Sequence, residues 1–335
     1  MIRSTSYSTI CLWDAIYLSI LQNIIILKIR RATKSDKEEV LRFCVDTFEW
    51  GDYIHQVWDF WYEDQDGLLL VAEEEEEYSL HNKKQSSVIA VSHVSLCPNK
   101  SNVWLEGIRV NPNYRRRSVA TQLLNKMIAY GQENGAREAS AMVTSNNFAS
   151  QLMMERNGFT IISKWNYYTI DKTPKRVDKV GTRSKVAALK DTEMICDYLK
   201  QSEIYKSSGQ RYVSSWRWYS LDLSSNTLAD LVKNEKVLVI GNDPIEGVAI
   251  INKENKNNNN NIFQIVYLDS SNAFLVQDLI RFAINLIHSE DVLYDRIEVY
   301  SPQTTYLSKV MEQAGTETSE QFLLYKREIY INSQQ

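Results

Sequence analysis

Apolar and polar positions change period repeatedly along the first half of the chain, and each change marks a predicted element. Val40, Leu41 and Cys44 recur at helical spacing, and Ser35 with Glu38 predicts a capping box before them. Short apolar or alternating runs predict strands over 28–33, 68–72, 88–96, 103–110, 139–144 and 159–170. Further helices are predicted in the aromatic stretch 48–61, from residue 118 and over 148–156. The order is approximately βααβββαβαβ.

A basic segment without periodic apolar positions then interrupts the pattern. Residues 171–185 (DKTPKRVDKVGTRSK) contain Pro174 and Gly181, a composition typical of an exposed linker. A similar plan follows, with strands predicted over 186–189, 237–240, 247–252, 262–268, 296–300 and 322–326, and helices over 192–200, 274–287 and 306–313. We therefore expect an N-terminal extension over 1–27, a first domain over 28–172 and a second over 173–335.

Three other segments depart from the regular pattern. The five carboxylates 73–77 and the five asparagines 257–261 are predicted to be solvated loops, because neither run can contribute to a core. Residues 10–27 approach the length of a membrane span, but Asp14 interrupts them, and a charge near a helix centre costs about 2.5–3.5 kcal/mol. An extra N-terminal element or a misplaced start is favoured there, disorder comes next and a membrane anchor last.

Composition narrows the classes of protein. The 335 residues are 44% hydrophobic and 24% charged, as in soluble globular proteins, and the net charge of −4 disfavours a dedicated nucleic-acid binder. The four cysteines form no CxxC pair and the four histidines no HExxH motif, so we expect reduced thiols, a cytoplasmic location and no metal. The 11 glycines form no GxGxxG or GxxxxGK loop.

The segment 111–124 (NPNYRRRSVATQLL) carries the strongest chemical signal. A strand ends there, a turn brings three arginines, and a helix begins near Ser118. Free backbone N–H groups and the helix dipole at such a point favour an anion, and the small side chains of Ser118 and Ala120 leave room for a phosphate. On spacing alone, a solvated basic turn before an amphipathic helix remains the alternative.

This segment resembles the acetyl-CoA signature of the GNAT acyltransferase superfamily. The family's turn runs as Arg or Gln, two residues, Gly, one residue, then Gly or Ala, and Arg115, Ser118 and Ala120 fall on those positions. Asn147, with Gly158-Phe159 further on, matches the family's later helix, so the resemblance spans about residues 28–170. It implies an α/β fold with a mixed central sheet flanked by helices, and acetyl-CoA as co-substrate.

The resemblance also implies which residues contact acetyl-CoA. The strand before the turn is similar to the one whose backbone pairs with pantetheine in the family. The expected binding residues are Ile108, Arg109, Val110, Arg115, Arg116, Arg117, Ser118, Val119, Ala120, Thr121 and Asn147.

Two positions depart from the family pattern. Ser118 replaces the central glycine, which a serine tolerates if the local backbone is helical. Met154 stands four residues before the GF glycine, where members often carry a tyrosine acid. A methionine cannot protonate a leaving thiolate, so the acid must lie elsewhere or be dispensable.

Acyl transfer from a thioester to an amine needs a base and a donor for the oxyanion. Glu106 is the predicted base, because strand alternation would place it on one face with Ile108 and Val110; a surface salt bridge is the alternative. The Val110 N–H is the predicted oxyanion donor. Tyr167 and Tyr168 are candidate acids, and loss of the thiolate without an acid is an equal alternative.

The acceptor would be bound by the first helices, as in the family. Trp50, Asp52 and Tyr53 are the candidate residues, with Asp52 placed to pair with a cationic amine; packing into the core is the alternative for the aromatic rings. In the second half, the turn 269–272 has an aspartate and no basic residue, so that unit is predicted to be degenerate and not to bind CoA. Trp216 and Trp218, in the aromatic stretch 212–221, would share a face if it were a strand.

The expected function is acetyl transfer to a primary amine by direct attack. A small molecule or amino acid is the favoured acceptor, and a protein N-terminus is less favoured. The arrangement of an active unit and a silent one resembles a GNAT group that includes histidine N-acetyltransferase-like proteins, which WLEGIRV at 104–110 also resembles. A non-catalytic acyl-CoA sensor and a scaffold protein are the alternatives. No oligomeric state is indicated.

Overall fold

The computed structural model describes residues 27–45, 47, 51–74, 87–171, 183–256, 260–270, 272–288, 294–313, 316 and 318–330. They form two compact units, one reaching Ser140 and including 328–330, the other spanning Ala141–Arg327. The predicted domain boundary at 172–173 and the apolar stretch up to residue 26 lie outside the described residues and stay predictions.

The first unit has a mainly antiparallel sheet with helices against it. Its elements are β1 (Leu27–Arg31), α1 (Lys37–Cys44), α2 (Ile54–Glu63), β2 (Gly67–Glu74), β3 (Val88–Leu96), β4 (Asn102–Val110), α3 (Val119–Glu133) and the start of β5 (Glu138–Thr144). Strands β1 to β4 pair in chain order, each antiparallel to the next, and β5 pairs parallel to β4. The predicted order of elements is therefore confirmed here.

Two local predictions in this unit are wrong. The capping box uses Thr33 and Asp36 rather than Ser35 and Glu38, because a turn of 3₁₀ helix precedes α1. The carboxylate run is not wholly a solvated loop, since Glu73 lies in β2 and is buried. Arg30 forms ion pairs with both Glu73 and Asp36, which explains how two buried carboxylates are accommodated.

The second unit contains a larger mixed sheet. Its elements are α4 (Phe148–Arg156), β6 (Thr160–Asp171), β7 (Ser184–Val186), α5 (Thr192–Gln201), α6 (Glu203–Ser207), β8 (Arg211–Ser214), β9 (Arg217–Ser220), α7 (Thr227–Lys233), β10 (Val237–Ile240), β11 (Gly247–Lys256), β12 (Asn260–Ser270), α8 (Ala273–His288), β13 (Arg296–Pro302), α9 (Thr305–Gln313) and β14 (Thr318–Glu328). The strand order is β14-β6-β13-β12-β11-β10-β7, with β12 and β13 parallel. The mixed α/β class is thus confirmed.

The aromatic stretch 212–221 is a hairpin and not one strand. Ser215 and Trp216 form its turn, with φ of +49° and +63°, so Trp216 does not share a strand face with Trp218 as expected. The predicted strand 186–189 is also displaced, because Leu189–Asp191 form a 3₁₀ turn before α5. Part of the asparagine run belongs to β12, which begins at Asn260.

Candidate active site

A bulge in β4 decides which side chains of this strand face the same way. Gly107 has φ of +69°, and the register jumps from Glu106 opposite His93 to Arg109 opposite Val91. Two residues of β4 therefore oppose one of β3, and Glu106 shares a face with Arg109. The expected grouping of Glu106 with Val110 by strict alternation is wrong for this reason.

Glu106 lies at the centre of a hydrogen-bonded cluster. Its Oε1 atom is 2.8 Å from His93 Nδ1, and its Oε2 accepts a hydrogen bond from Trp104 Nε1 at 3.1 Å. The Glu106 side chain remains 16% exposed, whereas the His93 ring is inaccessible to solvent. The carboxylate is thus held in place from two directions and still reaches the surface, as a base acting directly or through one water must.

The glycine at the bulge is required by close packing. A Cβ atom on Gly107 would lie 2.5 Å from the Trp61 ring, and its positive φ disfavours other residues as well. Trp61 in turn stacks on His93, with ring centroids 4.8 Å apart and an angle of 5° between planes. The backbone bulge and the histidine therefore both pack against the Trp61 indole.

Arg109 points to the start of α2. Its Nε and Nη2 atoms donate to the two carboxylate oxygens of Asp52, at 2.6 and 3.4 Å, and its guanidinium lies 5.1 Å from the Tyr53 ring centroid. Burial lowers the pKa of Arg109, but Tyr53 and Asp52 together raise it above its ordinary value. Burial is also the main cause that raises the pKa of the Tyr53 phenol.

This pairing changes the interpretation of the acceptor residues. Asp52 has an internal cation, so an acceptor amine would have to share its carboxylate with Arg109. Asp52 also accepts the Ile54 N–H at 3.0 Å and so fixes the beginning of α2. Its amine-binding role stays a prediction, as does that of Tyr53, and Trp50 lies outside the described residues.

The basic turn between β4 and α3 has an unusual backbone. Arg116 and Ser118 have φ of +63° and +60°, and α3 begins directly after Ser118. The first backbone bond of the helix runs from Gln122 N–H to Ser118 O, so the N–H groups of residues 119–121 have no acceptor within the helix. Arg115, Arg116 and Arg117 are exposed beside them. The turn therefore has the features of an anion cradle.

Ser118 does not adopt the helical backbone under which a serine was expected to be tolerated. Its φ of +60° and ψ of 12° are left-handed, the conformation that explains why a glycine is usual in the family's turn. The serine is retained at a conformational cost, and its side chain makes no capping hydrogen bond.

Replacing Ser118 by glycine is expected to stabilise the fold. Glycine removes the strain of the left-handed backbone in the folded state. Its greater conformational entropy in the unfolded chain offsets part of that benefit, so the free energy of unfolding should rise by about 0.5–1 kcal/mol. Urea unfolding followed by circular dichroism measures it. Ser118→Ala is the matched control, since it removes the hydroxyl but keeps Cβ; an equal gain in both variants would contradict the backbone explanation.

The strand backbone leaves one predicted donor available. Asn111 N–H donates to Ile89 O at 2.8 Å, so the alternation of an antiparallel pair directs the neighbouring Val110 N–H away from β3. On the other edge of β4, which pairs with β5, the described pairing ends where Trp104 lies opposite Ser140 and does not extend to Val110. The Val110 N–H therefore points away from β3, and its role as oxyanion donor stays a prediction.

The remaining predicted contact residues differ in accessibility. Ile108, Ala120 and Thr121 are half-buried. The side chain of Val119, the first residue of α3, is buried, so only the backbone of Val119 could contact a ligand. Asn147 belongs to the second unit, where its side chain accepts the Ser150 N–H and caps α4. These binding roles stay predictions.

The candidate acids also lie in the second unit. Tyr168 is fully buried in its hydrophobic core. Tyr167 donates a hydrogen bond to Glu298 at 2.9 Å, and burial is the main cause that raises the pKa of its phenol. Met154 is buried in α4. Both tyrosines therefore have structural partners, and their acid role stays a prediction.

His93, which contacts Glu106, was not among the predicted site residues. It stands within an apolar strand and belongs to no recognisable motif. Only the pairing of β3 with β4 could have found His93, because it sets that residue opposite Glu106.

The second unit departs from its expected turn chemistry. Asp269 does not lie in an exposed turn but is buried in β12. There its carboxylate accepts hydrogen bonds from Tyr267, Ser202 and Tyr198 at 2.6–2.9 Å. Burial raises the pKa of this carboxyl against the effect of those donors. The sequence suggested that an exposed Asp269 would repel a phosphate of CoA. Because Asp269 is buried, that explanation for a loss of CoA binding in this unit is wrong.

The described residues contain neither a metal-binding cluster nor a membrane-spanning helix. No group of three His, Cys, Asp or Glu side chains is arranged to hold a metal ion within the described part of the chain. None of the helices in the described ranges is long and apolar enough to cross a membrane.

Comparison with known proteins identifies the fold that carries this site. Residues 35–159, which include β2 to β4 and the basic turn, match the model of the acetyltransferase (GNAT) family. This part of the chain belongs to the GNAT family. A 76-residue stretch, 23% of the chain, is 33% identical to aminoglycoside N(6')-acetyltransferase type 1 of Salmonella typhimurium. The match covers 52% of that enzyme, so the chain spans about half the length of the curated relatives it matches.

Solved structures extend the GNAT fold to most of the chain. A GCN5-related N-acetyltransferase from Sphaerobacter thermophilus matches 90% of this chain and 96% of its own, with a TM-score of 0.55 and 12% identity. A GCN5-related glucosamine N-acetyltransferase region of a fungal multi-domain β-N-acetylglucosaminidase gives a TM-score of 0.57 at 12% identity, over 90% of this chain and 38% of that one. At such identities the likeness shows the fold alone.

Proposed function

We propose that the chain is an acetyl-CoA-dependent N-acetyltransferase in which Glu106 is the general base. The observation that carries the proposal is the position of a half-buried, doubly hydrogen-bonded carboxylate on the strand that leads into the basic turn. A base and an anion cradle at successive points of one segment match the two needs of the reaction, proton removal and cosubstrate binding.

The turn would hold the cosubstrate by its pyrophosphate. The N–H groups at the start of α3 and the exposed guanidinium groups of Arg115 and Arg117 provide donors and positive charge. Acetyl-CoA supplies the thioester whose carbonyl carbon the amine attacks. The Val110 N–H would donate to the oxygen of that carbonyl as negative charge develops on it.

Glu106 would take the proton that the amine loses. The new C–N bond forms as the C–S bond breaks, one proton passes to the Glu106 carboxylate, directly or through a water, and CoA leaves as a thiolate. Because Met154 cannot donate a proton, we propose that the thiolate leaves without help from that position.

The acceptor is proposed to be a primary amine of a small molecule or amino acid. Support comes from the curated relative, named as an aminoglycoside acetyltransferase, and from the polar side chains of Glu106 and Arg109 on one face of β4, with the Tyr53 ring beside Arg109. A protein N-terminus is the less favoured acceptor.

Acetyl-CoA binding tests the proposal. Calorimetry on the full chain should give about one equivalent of binding, and replacing Arg115 and Arg117 together by alanine should weaken it roughly tenfold, as the loss of about 1–2 kcal/mol from two charge contacts implies. The loss should shrink as salt is raised, since added ions screen exposed charges.

Arg137→Ala is the matched control, because Arg137 is exposed in the same unit but lies outside the turn. Binding by a chain that never releases thiol with any amine would favour an acyl-CoA sensor. A folded chain that does not bind acetyl-CoA would favour a scaffold.

A further inference from the structure

The last arginine of the basic turn lies over an aromatic ring. The guanidinium carbon of Arg117 is 5.3 Å from the centroid of the Tyr114 ring. A guanidinium contacts an aromatic ring with its positive charge and its flat face, whereas its N–H donors lie in its own plane. The contact therefore leaves in-plane donors of Arg117 available to an anion. No step proposed above uses Tyr114.

The backbone ties Tyr114 to the sheet. Tyr114 is the last residue of the 3₁₀ turn Pro112–Tyr114, and its N–H donates to Asn111 O at 2.8 Å. The side-chain oxygen of Asn111 accepts the Asn113 N–H at 3.1 Å and so caps the same turn. The Asn111 N–H in turn donates to Ile89 O in β3 at 2.8 Å. The position of Tyr114 is thus set by the end of the ladder between β3 and β4.

The phenol of Tyr114 is held at its other end. Its hydroxyl donates to the Glu74 carboxylate, and this hydrogen bond is the main cause that raises the pKa of Tyr114, with burial second. The Ser87 hydroxyl donates to the same phenol oxygen. Glu74 is the last residue of β2, and its N–H donates to Ser87 O at 3.3 Å. The ring therefore has contacts at both ends that fix the face it presents to Arg117.

The neighbouring arginine makes a different contact. Arg115 Nε donates to Val110 O at 3.3 Å, so this side chain turns back toward the end of β4. Arg117 stands two residues before α3, directly ahead of the N–H groups of 119–121. It thus combines two features that suit a phosphate contact, a guanidinium held by a ring and a place beside the start of a helix.

We propose that Tyr114 is a positioning residue that holds Arg117 for the pyrophosphate of acetyl-CoA. This inference rests on the proposed function. An exposed arginine side chain that moves freely loses rotational freedom when it binds a ligand, and this loss weakens binding. Tyr114 restricts Arg117 before acetyl-CoA arrives, so less freedom remains to be lost on binding.

Three variants separate the ring from the hydroxyl. Tyr114→Leu removes the ring, and calorimetry on the full chain should show acetyl-CoA binding weakened about threefold, within the range for ordering one long side chain. Tyr114→Phe also loses the bond to Glu74 but keeps the ring, so its affinity should stay within about 1.5-fold of the unaltered chain. Tyr330→Leu, which removes an exposed ring of the same unit, is the control and should have no effect.

A double-mutant cycle tests whether Tyr114 acts through Arg117. In a chain that already carries Arg117→Ala, Tyr114→Leu should weaken binding no further. An equal threefold loss in both backgrounds would overturn the proposal, because Tyr114 would then act on the ligand or on the fold by itself. With a primary amine as acceptor, Tyr114→Leu should raise the KM for acetyl-CoA and leave kcat unchanged. A fall in kcat would mean that β4 is disturbed, and would also count against positioning.

NMR tests the contact without ligand or turnover. The Nε–H signal of Arg117 is assigned by its loss in Arg117→Ala, and the Tyr114 ring should shift it away from the position of an exposed arginine. The shift should persist in Tyr114→Phe and disappear in Tyr114→Leu; an identical signal in all three chains would overturn the proposal. If the full chain binds no acetyl-CoA, the proposed function fails, and this signal still decides whether Tyr114 orders Arg117.

Discussion

Glu106→Gln is expected to lower kcat by roughly 10²–10³-fold, the range for loss of a positioned general base. Glutamine keeps the size of the side chain and still has an oxygen to accept the Trp104 N–H, but it cannot take a proton at neutral pH. The affinity for acetyl-CoA, measured by calorimetry, should be unchanged, because the predicted phosphate contacts lie on the turn and not on this part of β4.

The control for this variant is Glu133→Gln, which removes an exposed carboxylate at the end of α3 in the same unit. Its kcat should match that of the unaltered chain. A Glu106→Gln chain that turns over normally would show that another group takes the proton, and would withdraw the proposed base.

The sequence predicted the elements well where one period dominates. The span of β3 (Val88–Leu96) and that of α4 (Phe148–Arg156) agree with the structure to the residue. Strand β3 is a continuous run of buried residues, and α4 begins at an asparagine cap and ends before Asn157-Gly158, so local signals determine both.

The chemistry of the site could be predicted only in part, because long-range pairing sets it. Glu106 was predicted as the base from its own strand, and that role stays a prediction. Its contact with His93 depends on the register between β3 and β4, and Asp52 and Arg109 are 57 residues apart. The bulge at Gly107 then reverses the face of Val110 relative to Glu106. The alternation of apolar and polar positions along a strand does not reveal where an extra residue interrupts its pairing with the neighbouring strand.

The buried polar groups of the second unit illustrate the same limit. Glu298 is almost fully buried, yet it accepts hydrogen bonds from Tyr167, Gln264 and Tyr300 and pairs with Arg296. These donors come from three strands, β6, β12 and β13. A carboxylate inside an apolar core is stable only with such partners, which the sequence around Glu298 does not reveal.

Breaking the pair between Asp52 and Arg109 is expected to produce the largest loss of stability among the changes considered. Asp52→Asn keeps the oxygen that accepts the Ile54 N–H but leaves the buried guanidinium without its anion, since the two side chains are only 3% and 12% exposed. The free energy of unfolding should fall by about 3 kcal/mol, the usual cost of leaving one member of a buried ion pair alone. Urea unfolding with an unchanged m-value measures this loss.

A double-mutant cycle identifies the charge pair as the cause. Arg109→Met removes the cation, keeps an apolar chain against Tyr53 and leaves Asp52 alone, so it too should destabilise the fold. The double variant Asp52→Asn with Arg109→Met no longer buries an unpaired charge and should recover much of the loss, because replacing both partners costs far less than removing one. Losses that simply add, within about 0.5 kcal/mol, would mean that Asp52 and Arg109 stabilise the chain independently. In that case the Asp52 carboxylate would not be needed to stabilise the buried Arg109 guanidinium. It would then again be available to bind an acceptor amine.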